Sequence, residues 1–472
     1  MQYISTRGAA PAQDFRGATL AGLASDGGLY LPEEWPQFSK AEIADMAGLD
    51  YASLAVRIMR PFVTGSLSDE ELTELCQQAY GGFAHKAVTP LAQLDERHWL
   101  LELFHGPTLA FKDVALQFLG LSFAHFLKDQ DKALTIVGAT SGDTGSAAIH
   151  AVAGREGIEI FMLHPHGRIS DVQRRQMTTV LSPNVHNIAI EGNFDDAQAM
   201  VKRMFGDSAL TDTLDLSAVN SINWARLMAQ IVYYFAAALQ LGAPHRPVAF
   251  SVPTGNFGDV FAGYVASRMG LPVERLIVAT NINDILHRAL SSGDYSRAEL
   301  SPTATPSMDI QVSSNFERLL FDLGGRDGAA MAETMRSFDA SGALQIDDAL
   351  RAAIGERFTS ERVDNDAMSR AIRWAYEEAR QVIDPHTAIG LAAAHRFDGD
   401  PTVPIVTLAT AHPAKFRDAV ERACGIRPAL PSRVGDLFDR QERSTTLPND
   451  YEAVRQFVLD NAMAKASAKA KV

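Results

Sequence analysis

The stretch Leu134-Thr-Ile-Val137, followed by the loop Gly138-Ala-Thr-Ser-Gly-Asp-Thr-Gly145 and the small-residue segment 146–153, decides the fold class. An apolar run, a glycine-rich turn and a helical pattern in direct succession predict a strand, a loop and a helix. The same order recurs at 248–269 and at 403–416. Repeated strand-loop-helix units are typical of α/β proteins, so we predict an α/β fold with mostly parallel sheets.

The loops that end these three strands are rich in glycine or in small polar residues. The second reads Pro253-Thr-Gly-Asn-Phe-Gly-Asp259 and the third reads Thr410-Ala-His-Pro-Ala-Lys-Phe416. Open parallel sheets bind ligands at the carboxyl ends of their strands, where successive backbone N–H groups at a helix start can hold an anion. We therefore predict that one loop binds a phosphate group. The patterns of nucleotide-binding loops are absent from the sequence.

Lys112 lies in the predicted helix 109–119, and its neighbours at helical spacing include Leu109, Leu116 and Leu119. Burial disfavours the ammonium form of a lysine and lowers its pKa, which makes the neutral amine a nucleophile toward carbonyl groups. A Schiff base is the usual product. Spacing alone favours the alternative, in which the lysine extends along apolar surface and keeps its charge in water.

An ordered set of motifs resembles the threonine synthase family. The motifs are Tyr3-Ile-Ser-Thr-Arg-Gly8, Asp26-Gly-Gly-Leu-Tyr-Leu-Pro32, His105-Gly-Pro-Thr-Leu-Ala-Phe-Lys-Asp113, Asn220-Ser-Ile-Asn-Trp-Ala-Arg226 and the three loops above. The resemblance runs to about residue 427. It implies pyridoxal 5′-phosphate as the cofactor and a two-domain pyridoxal-phosphate fold of the tryptophan-synthase-β type, with an amino-terminal helical domain and helical insertions. The implied reaction converts O-phospho-L-homoserine and water to L-threonine and phosphate by γ-elimination and β-addition.

The resemblance also assigns cofactor-binding residues. They are Lys112, Gly255, Asn256, Phe257, Gly258 and Thr410. Lys112 is the catalytic residue, which binds the cofactor aldehyde and then moves protons as general base and acid. Residues 255–258 match the cradle for the cofactor phosphate, and Thr410 matches the residue whose hydroxyl faces the ring nitrogen. The ordinary alternative for Thr410 is a helix cap.

Seven substrate-binding residues follow from the same resemblance. They are Ser141, Gly142, Asp143, Thr144, Asn220, Ser221 and Arg226. The first four bind the amino acid's carboxylate, and the last three hold the leaving phosphate, which suits the forked guanidinium of arginine. Asp143 stands where asparagine is common in the wider fold family, and its charge would repel the substrate carboxylate unless it points away or holds a proton. The alternative for the last three is a helix cap at Asn220 or Ser221 with an exposed Arg226.

Four regions are predicted. They are an amino-terminal domain at 1–95, a large cofactor-binding domain at 96–132 and 226–428, a smaller mobile substrate domain at 133–225, and a carboxy-terminal extension at 429–472. Further strands are expected at 158–163, 185–190 and 276–279, and mostly helices between 312 and 396. Asp384 reads most plainly as a helix cap, although Asp384 and His386 also match a family segment, and the role of Lys415 is left open.

Composition limits the remaining classes of function. The 472 residues carry a net charge of −14, which argues against nucleic acid as a partner, and the one basic cluster, 464–471, reads as a frayed tail. Cys76 and Cys424 fit a reduced compartment, and the amino terminus has no apolar signal region, so we predict a cytoplasmic protein without membrane contact. The assembly, monomer or homodimer, is left open. His164 and His166 read as a solvated pair, and no metal is predicted.

Rival functions remain open at this point. The same scaffold supports threonine dehydratase, cysteine synthase and phosphohomoserine lyase chemistry, and the fold alone does not distinguish them. A rival from another class is a non-catalytic homologue that binds pyridoxal phosphate. Product analysis and phosphate release separate these alternatives.

Overall fold

The computed structural model describes residues 1–128 and 133–463. The predicted tail at 464–471 and the predicted domain boundary near residue 132 lie outside these ranges. Contacts between residues divide the chain into two compact units. The first comprises 1–18, 23–115 and 221–429, and the second comprises 19–22, 116–220 and 430–472. Most of the predicted amino-terminal domain belongs to the first unit, and the predicted boundaries stay predictions.

The strands of the described residues are short to medium in length. They are β1 Tyr3–Ser5, β2 Tyr30–Pro32, β3 Leu91–Gln93, β4 His98–Glu102, β5 Leu134–Ala139, β6 Ile158–Pro165, β7 Val185–Glu191, β8 Asp215–Ser217, β9 Val248–Pro253, β10 Val273–Thr280, β11 Phe358–Arg362, β12 Ile405–Ala409 and β13 Thr445–Pro448. All six strands predicted from the sequence are confirmed, with small shifts at their ends.

The α-helices surround these strands. They are α1 Phe15–Ala21, α2 Lys40–Ala44, α3 Tyr51–Val63, α4 Asp69–Gly81, α5 Lys112–Leu127, α6 Asp143–Val152, α7 Asp171–Thr178, α8 Phe194–Phe205, α9 Ser208–Thr211, α10 Trp224–Gln240, α11 Gly258–Arg268, α12 Ile285–Ser292, α13 Phe316–Leu323, α14 Gly328–Ser341, α15 Asp348–Gly355, α16 Asn365–Glu377, α17 Pro385–Arg396, α18 Arg417–Cys424 and α19 Tyr451–Asn461. Short 3-10 helices lie at Pro306–Met308, Pro413–Lys415 and Ser432–Val434. No helix within the described ranges combines the length and the apolar character that a membrane crossing requires.

A six-stranded sheet organises the first unit, in the order β11-β10-β9-β12-β4-β3. All neighbouring pairs are parallel except β3 with β4. Helix α17 packs closely on this sheet, because a Cβ on Gly390 would lie only 2.9 Å from Thr407 Cγ2 and 3.0 Å from Pro253 Cγ. Only glycine permits that approach. Strands β9 and β12 pair in parallel, so their carboxyl ends lie at the same edge of the sheet.

A five-stranded parallel sheet organises the second unit, in the order β13-β7-β6-β5-β8. Every residue of β6 is buried, as expected for a strand that helices cover on both faces. Apolar residues of β5, β6 and β7 form one core cluster with α8 and α19. The predicted carboxy-terminal extension therefore contributes both a strand and a packed helix to this unit.

The sequence-based reading of secondary structure is incomplete between 312 and 396, where the predicted helices are present as α13 to α17. The helical prediction for 312–396 misses β11, which pairs with β10 at the edge of the first sheet. Its residues Phe-Thr-Ser-Glu-Arg give no alternating apolar pattern, because an edge strand is covered on fewer sides than a central one. The amino-terminal segment also contains the antiparallel pair β1 and β2 beside its predicted helices.

Candidate active site

Three adjacent parallel strands, β4, β12 and β9, end at one edge of the first sheet. Their carboxyl ends lead into the segments 103–111, 410–416 and 254–258. These segments carry or precede the predicted cofactor residues. The topology therefore brings Lys112, Thr410 and the glycine loop, which we define as residues 255–258, to the same edge.

Lys112 is the first residue of α5, and the predicted helix is wrong for residues 109–111. Leu109 has φ of 62°, which ends helical geometry, and the amide of Phe111 donates to the carbonyl of Thr410 at 2.8 Å. The amide of His412 donates in return to the carbonyl of Leu109 at 3.0 Å. This pairing holds Lys112 beside Thr410. The lysine is only 7% exposed, which contradicts the solvated alternative.

The loop before Lys112 is fixed by two buried charged residues that the sequence did not reveal. Asp113 accepts hydrogen bonds from the amide and the hydroxyl of Thr108, at 2.8 and 2.7 Å. Lys415 donates from Nζ to the carbonyl of Thr108 at 2.7 Å. Burial raises the pKa of Asp113 to about 6, against the hydrogen bonds from Thr108 and the charge of Lys415. Lys415, whose role was left open, thus anchors the loop that leads to Lys112.

The glycine loop is shaped to offer its amide groups to an anion. Phe257 has φ of 63°, and a Cβ on Gly255 would lie 2.5 Å from the carbonyl oxygen of Ser307. The structure records no hydrogen bond from the amides of residues 255–257 to any described residue. Helix α11 starts at Gly258, so its positive end points at the same place. A phosphate group fits this cradle.

Residues 313–315, which the sequence analysis did not identify, hold the glycine loop through hydrogen bonds to its backbone carbonyls. The hydroxyl of Ser313 donates to the carbonyl of Gly255 at 2.7 Å, and the side-chain amide of Asn315 donates to the carbonyl of Asn256 at 2.9 Å. Asn315 also donates to the carbonyl of Ser221 at 3.1 Å. With their carbonyls held on this side, the loop's amides face the other way. The same side chain links the glycine loop to the Arg226 segment, defined as residues 221–226.

Arg226 lies in the first turn of α10 and is 5% exposed, so the alternative of an exposed arginine is wrong. The cap of α10 is Asn223, whose side chain accepts from the amide of Ala225 at 3.0 Å, rather than Asn220 or Ser221. Nη1 of Arg226 is buried and has no hydrogen-bond partner within residues 1–128 and 133–463. Burial lowers the pKa of Arg226 to about 10, which still leaves the guanidinium charged at neutral pH. A buried donor without a partner fits an anionic ligand.

Asp259 is a buried carboxylate between α11 and α10 that the sequence reading also missed. Oδ1 accepts from the hydroxyls of Tyr233 and Tyr234, the latter at 3.0 Å. Oδ2 is buried and lacks a partner in the described parts of the chain. Burial raises the pKa of Asp259 to about 6, although the two tyrosines lower it. The positive charges of Arg226 and Lys112 also lower it, which places the carboxylate in their electrostatic environment.

We expect Asp259→Asn to change how stability depends on pH. The pKa of Asp259 rises from 3.8 to about 6 on folding, so the native state retains a proton that the unfolded state releases, and stability falls as pH rises through this interval. Asparagine does not titrate, so the variant does not lose stability in this pH interval. Relative to the parent, the variant should gain about 2 kcal/mol in free energy of unfolding between pH 4.5 and pH 7.5.

Denaturant unfolding at both pH values measures this difference. The matched control is Asp348→Asn, because the side chain of Asp348 is 93% exposed and keeps its water in both states. A gain for Asp259→Asn that is the same at both pH values would contradict the expectation.

The 138–145 loop belongs to the second unit and joins β5 to α6. The hydroxyl of Thr140 accepts from the amides of Gly142 and Gly145, both at 2.9 Å, which fixes the turn. Ser141 and Thr144 are half-buried, so both side chains remain accessible. Asp143 is 4% exposed. Asn220 also belongs to this unit and is half-buried.

Two histidine predictions have different outcomes. His164 was read as solvated, but it lies in the fully buried strand β6 and is 3% exposed, whereas His166 is exposed. Burial lowers the pKa of His164 to about 4, so its ring is neutral at neutral pH.

Asp384 caps α17 as expected, because it accepts from the amides of His386 and Thr387 at 2.9 and 3.0 Å.

Within the described ranges, one group of side chains has metal-ligand spacing: Asp95, His98 and His395, whose ligand atoms lie within 4.8 Å of one another. His98 is the first residue of β4, so this group lies at the amino end of that strand, whereas the glycine loop lies at the carboxyl ends of the parallel strands. Both oxygens of Asp95 contact Nδ1 of His98, at 3.1 and 2.9 Å. The rings of His98 and His395 pack edge to face. These contacts account for the cluster as packing.

Pyridoxal phosphate requires an amine for its aldehyde, an anion cradle for its phosphate and a polar partner for its ring nitrogen. The first unit offers Lys112, the glycine loop and Thr410 at one edge of its sheet, and the buried lysine and the outward-facing amides fit these needs. A parallel sheet with this set of groups defines a pyridoxal-phosphate-dependent enzyme.

Comparison with known proteins narrows the class. Three family models match: "Threonine synthase N terminus" at 2–80, "Pyridoxal-phosphate dependent enzyme" at 83–344 and "Threonine synthase, C-terminal" at 387–458. The chain belongs to the threonine synthase family. A threonine synthase of Pseudomonas aeruginosa is 58% identical over 459 residues, covering 97% of this chain and 98% of the relative. One of Saccharomyces cerevisiae is 44% identical over 455 residues, covering 89% and 88%.

Solved structures of threonine synthases are also similar to this chain. A threonine synthase from Brucella melitensis, described as bound to PLP, superposes with a TM-score of 0.96 at 52% identity, covering 98% of this chain and 100% of the other. The threonine synthase of Escherichia coli has a TM-score of 0.83 at 34% identity, covering 98% and 100%. The predicted family, fold class and cofactor are thereby confirmed.

Proposed function

We propose that this enzyme converts O-phospho-L-homoserine and water to L-threonine and phosphate. The observation that supports the substrate is the buried Arg226, whose Nη1 has no hydrogen-bond partner in the described residues. The glycine loop supplies amides for one phosphate. Arg226 and Ser221 supply a guanidinium and a hydroxyl for a second, and a phosphorylated amino acid brings that second group.

The cofactor residues divide three tasks. Lys112 forms the covalent bond to the cofactor aldehyde, the amides of Gly255, Asn256, Phe257 and Gly258 bind its phosphate, and Thr410 donates a hydrogen bond to its ring nitrogen. When bound, pyridoxal phosphate supplies an electron sink conjugated to Cα of the amino acid. A hydroxyl at Thr410 does not hold the ring nitrogen protonated as a carboxylate would, so the sink stays moderate and positioning governs the outcome.

The substrate residues hold the amino acid at its two ends. Ser141 and Thr144 bind the carboxylate through their hydroxyls and amides, with Gly142 and Asp143 in the same loop. Asn220, Ser221 and Arg226 grip the phosphate. The amine of Lys112 would move protons at Cα and Cβ of the amino acid. Phosphate leaves Cγ, a proton added at Cγ gives the methyl carbon of threonine, water adds its hydroxyl at Cβ, and a proton returns to Cα.

Product analysis tests the proposal. Purified holoenzyme is incubated with O-phospho-L-homoserine, and threonine, 2-oxobutyrate and inorganic phosphate are quantified. We expect threonine and phosphate in equal amounts. Phosphate with 2-oxobutyrate in place of threonine would indicate phosphohomoserine lyase chemistry, and no release of phosphate would indicate a non-catalytic homologue.

Thr410→Asp should change the chemistry rather than stop it. An aspartate beside the ring nitrogen favours its protonated form, strengthens electron withdrawal and diverts the reaction to side products. We expect an altered visible spectrum during turnover and a lower ratio of threonine to 2-oxobutyrate. Thr410→Ser, which keeps the hydroxyl, serves as the control. An unchanged spectrum and ratio in the aspartate variant would place Thr410 away from the ring.

Several assignments complete the proposal. The second unit contains the 138–145 loop and acts as the substrate domain, and the first unit carries the cofactor residues. The assembly as monomer or homodimer stays a prediction, which light scattering after size-exclusion chromatography tests. The cytoplasmic location, inferred from the sequence, also stays a prediction.

A further inference from the structure

The 138–145 loop contains a buried acidic residue, although its proposed ligand is an anion. Asp143 is 4% exposed, and its Oδ1 accepts a hydrogen bond from Nε2 of Gln173 at 2.8 Å. Gln173, in the first turn of α7, is also 4% exposed. A neutral amide therefore binds a buried carboxylate in the very loop that is proposed to attract a carboxylate.

Helix α7 fixes the orientation of the Gln173 side chain. The hydroxyl of Ser170, the cap of α7, donates to Oε1 of Gln173 at 2.9 Å and accepts from the amide of Gln173 at 3.3 Å. Because the side-chain oxygen of Gln173 receives this hydrogen bond, its NH₂ group faces Asp143. The contacts with Ser170 at the start of α7 therefore orient the side chain of Gln173 toward Asp143.

Gln173 also packs directly on the loop backbone. Gly142 has φ of 136°, a conformation that glycine adopts readily, and a Cβ there would lie 2.5 Å from Cδ of Gln173. Gln173 therefore contacts residues 142 and 143 together, whereas Ser141 and Thr144 on either side of them stay accessible.

We propose that Gln173 is a positioning residue, which turns the Asp143 carboxylate away from the bound substrate and fixes the shape of the 138–145 loop. This inference rests on the proposed function, in which that loop binds the substrate's carboxylate. A second carboxylate facing the ligand would repel it. Glutamine gives Oδ1 of Asp143 a hydrogen bond and adds no charge, so the pair supports the loop without adding a second charged group.

A reciprocal exchange of the two side chains tests the pair. Gln173→Glu sets two carboxylates against each other at the same spacing, so we expect kcat/KM for O-phospho-L-homoserine to fall by about 30-fold or more, mainly through KM. Asp143→Asn keeps an acceptor for Gln173 and removes the charge, so its kcat/KM is measured as the single-variant reference for the double variant. The double variant restores one donor and one carboxylate, and should recover to within about fivefold of the parent.

The surface offers a matched control. Gln456 donates to Asp460 at 2.7 Å, and both are exposed, so Gln456→Glu makes the same chemical change where water screens it and should leave kcat/KM unaltered. Bound cofactor absorbance should stay unchanged in all variants. The inference is overturned if Gln173→Glu retains the parent's KM, or if the double variant is no better than Gln173→Glu. Failure of the proposed function is separate, since it appears as absence of threonine from the parent enzyme.

Discussion

Replacing Lys112 with alanine should abolish the visible absorption of the bound cofactor near ~420 nm and reduce turnover by about 1,000-fold or more. The amine of Lys112 is proposed both to hold the cofactor and to move the protons, so one truncation removes both roles. The helix starts at this residue, and an alanine there keeps its backbone contacts. Absorbance spectra and single-turnover rates of the purified variant measure the two effects.

Two further variants separate chemistry from charge. Lys112→Arg keeps a cation but no nucleophilic amine, because a guanidinium stays protonated, and should be as inactive as the alanine variant. Lys202→Ala removes a lysine from the exposed face of α8 and should behave like the parent. Normal turnover by Lys112→Ala would refute the assignment of the catalytic residue.

Arg226→Ala should weaken binding of O-phospho-L-homoserine by about 2–4 kcal/mol, the range for truncation of one partner of a desolvated charge pair. That range corresponds to between about 30-fold and 1,000-fold in dissociation constant. Affinity for pyridoxal phosphate should change little, because the glycine loop is proposed to bind that phosphate through its own amides. Titration of each ligand into the variant, monitored by calorimetry, measures both constants.

The control for this variant is Arg203→Ala, which removes an arginine that is 62% exposed. Arg226→Lys should recover only part of the affinity, since an ammonium group lacks the guanidinium fork. Loss of pyridoxal phosphate with intact substrate binding would mean that the two phosphate sites are exchanged. If neither affinity changed, the buried guanidinium would have a purely structural role.

The elements that sequence predicted best are those with a strong local pattern. Strands β5, β6, β7 and β9 are rich in apolar residues, and each was predicted close to its observed limits. The start of α5 was not, because the geometry of residues 109–111 is set by pairing with 410–412, some three hundred positions away. A local window does not contain that partner.

In the candidate site, too, some residues were predicted from the sequence and others were not. Lys112, the glycine loop and Arg226 came from motifs in a fixed order, so the resemblance located them. The residues that support them did not: Asn315 contacts Ser221 and Asn256 from far along the chain, and Gln173 meets Asp143 across a helix–loop contact. No motif predicted these residues, because they act through hydrogen bonds to residues that are distant in sequence. Buried polar side chains in the structure reveal them.

The side-chain amide of Asn315 contacts the carbonyls of both Ser221 and Asn256, and this double contact sets a fixed spacing between the two proposed phosphate sites. In the proposed function, one site holds the cofactor and the other holds the end of the substrate. The distance between them then measures the number of carbon atoms between the reacting centre and the leaving group. A phosphorylated amino acid with one methylene fewer would be too short to place its phosphate at the Arg226 segment while its amino group is at the cofactor, so this single carboxamide contributes to selection for side-chain length.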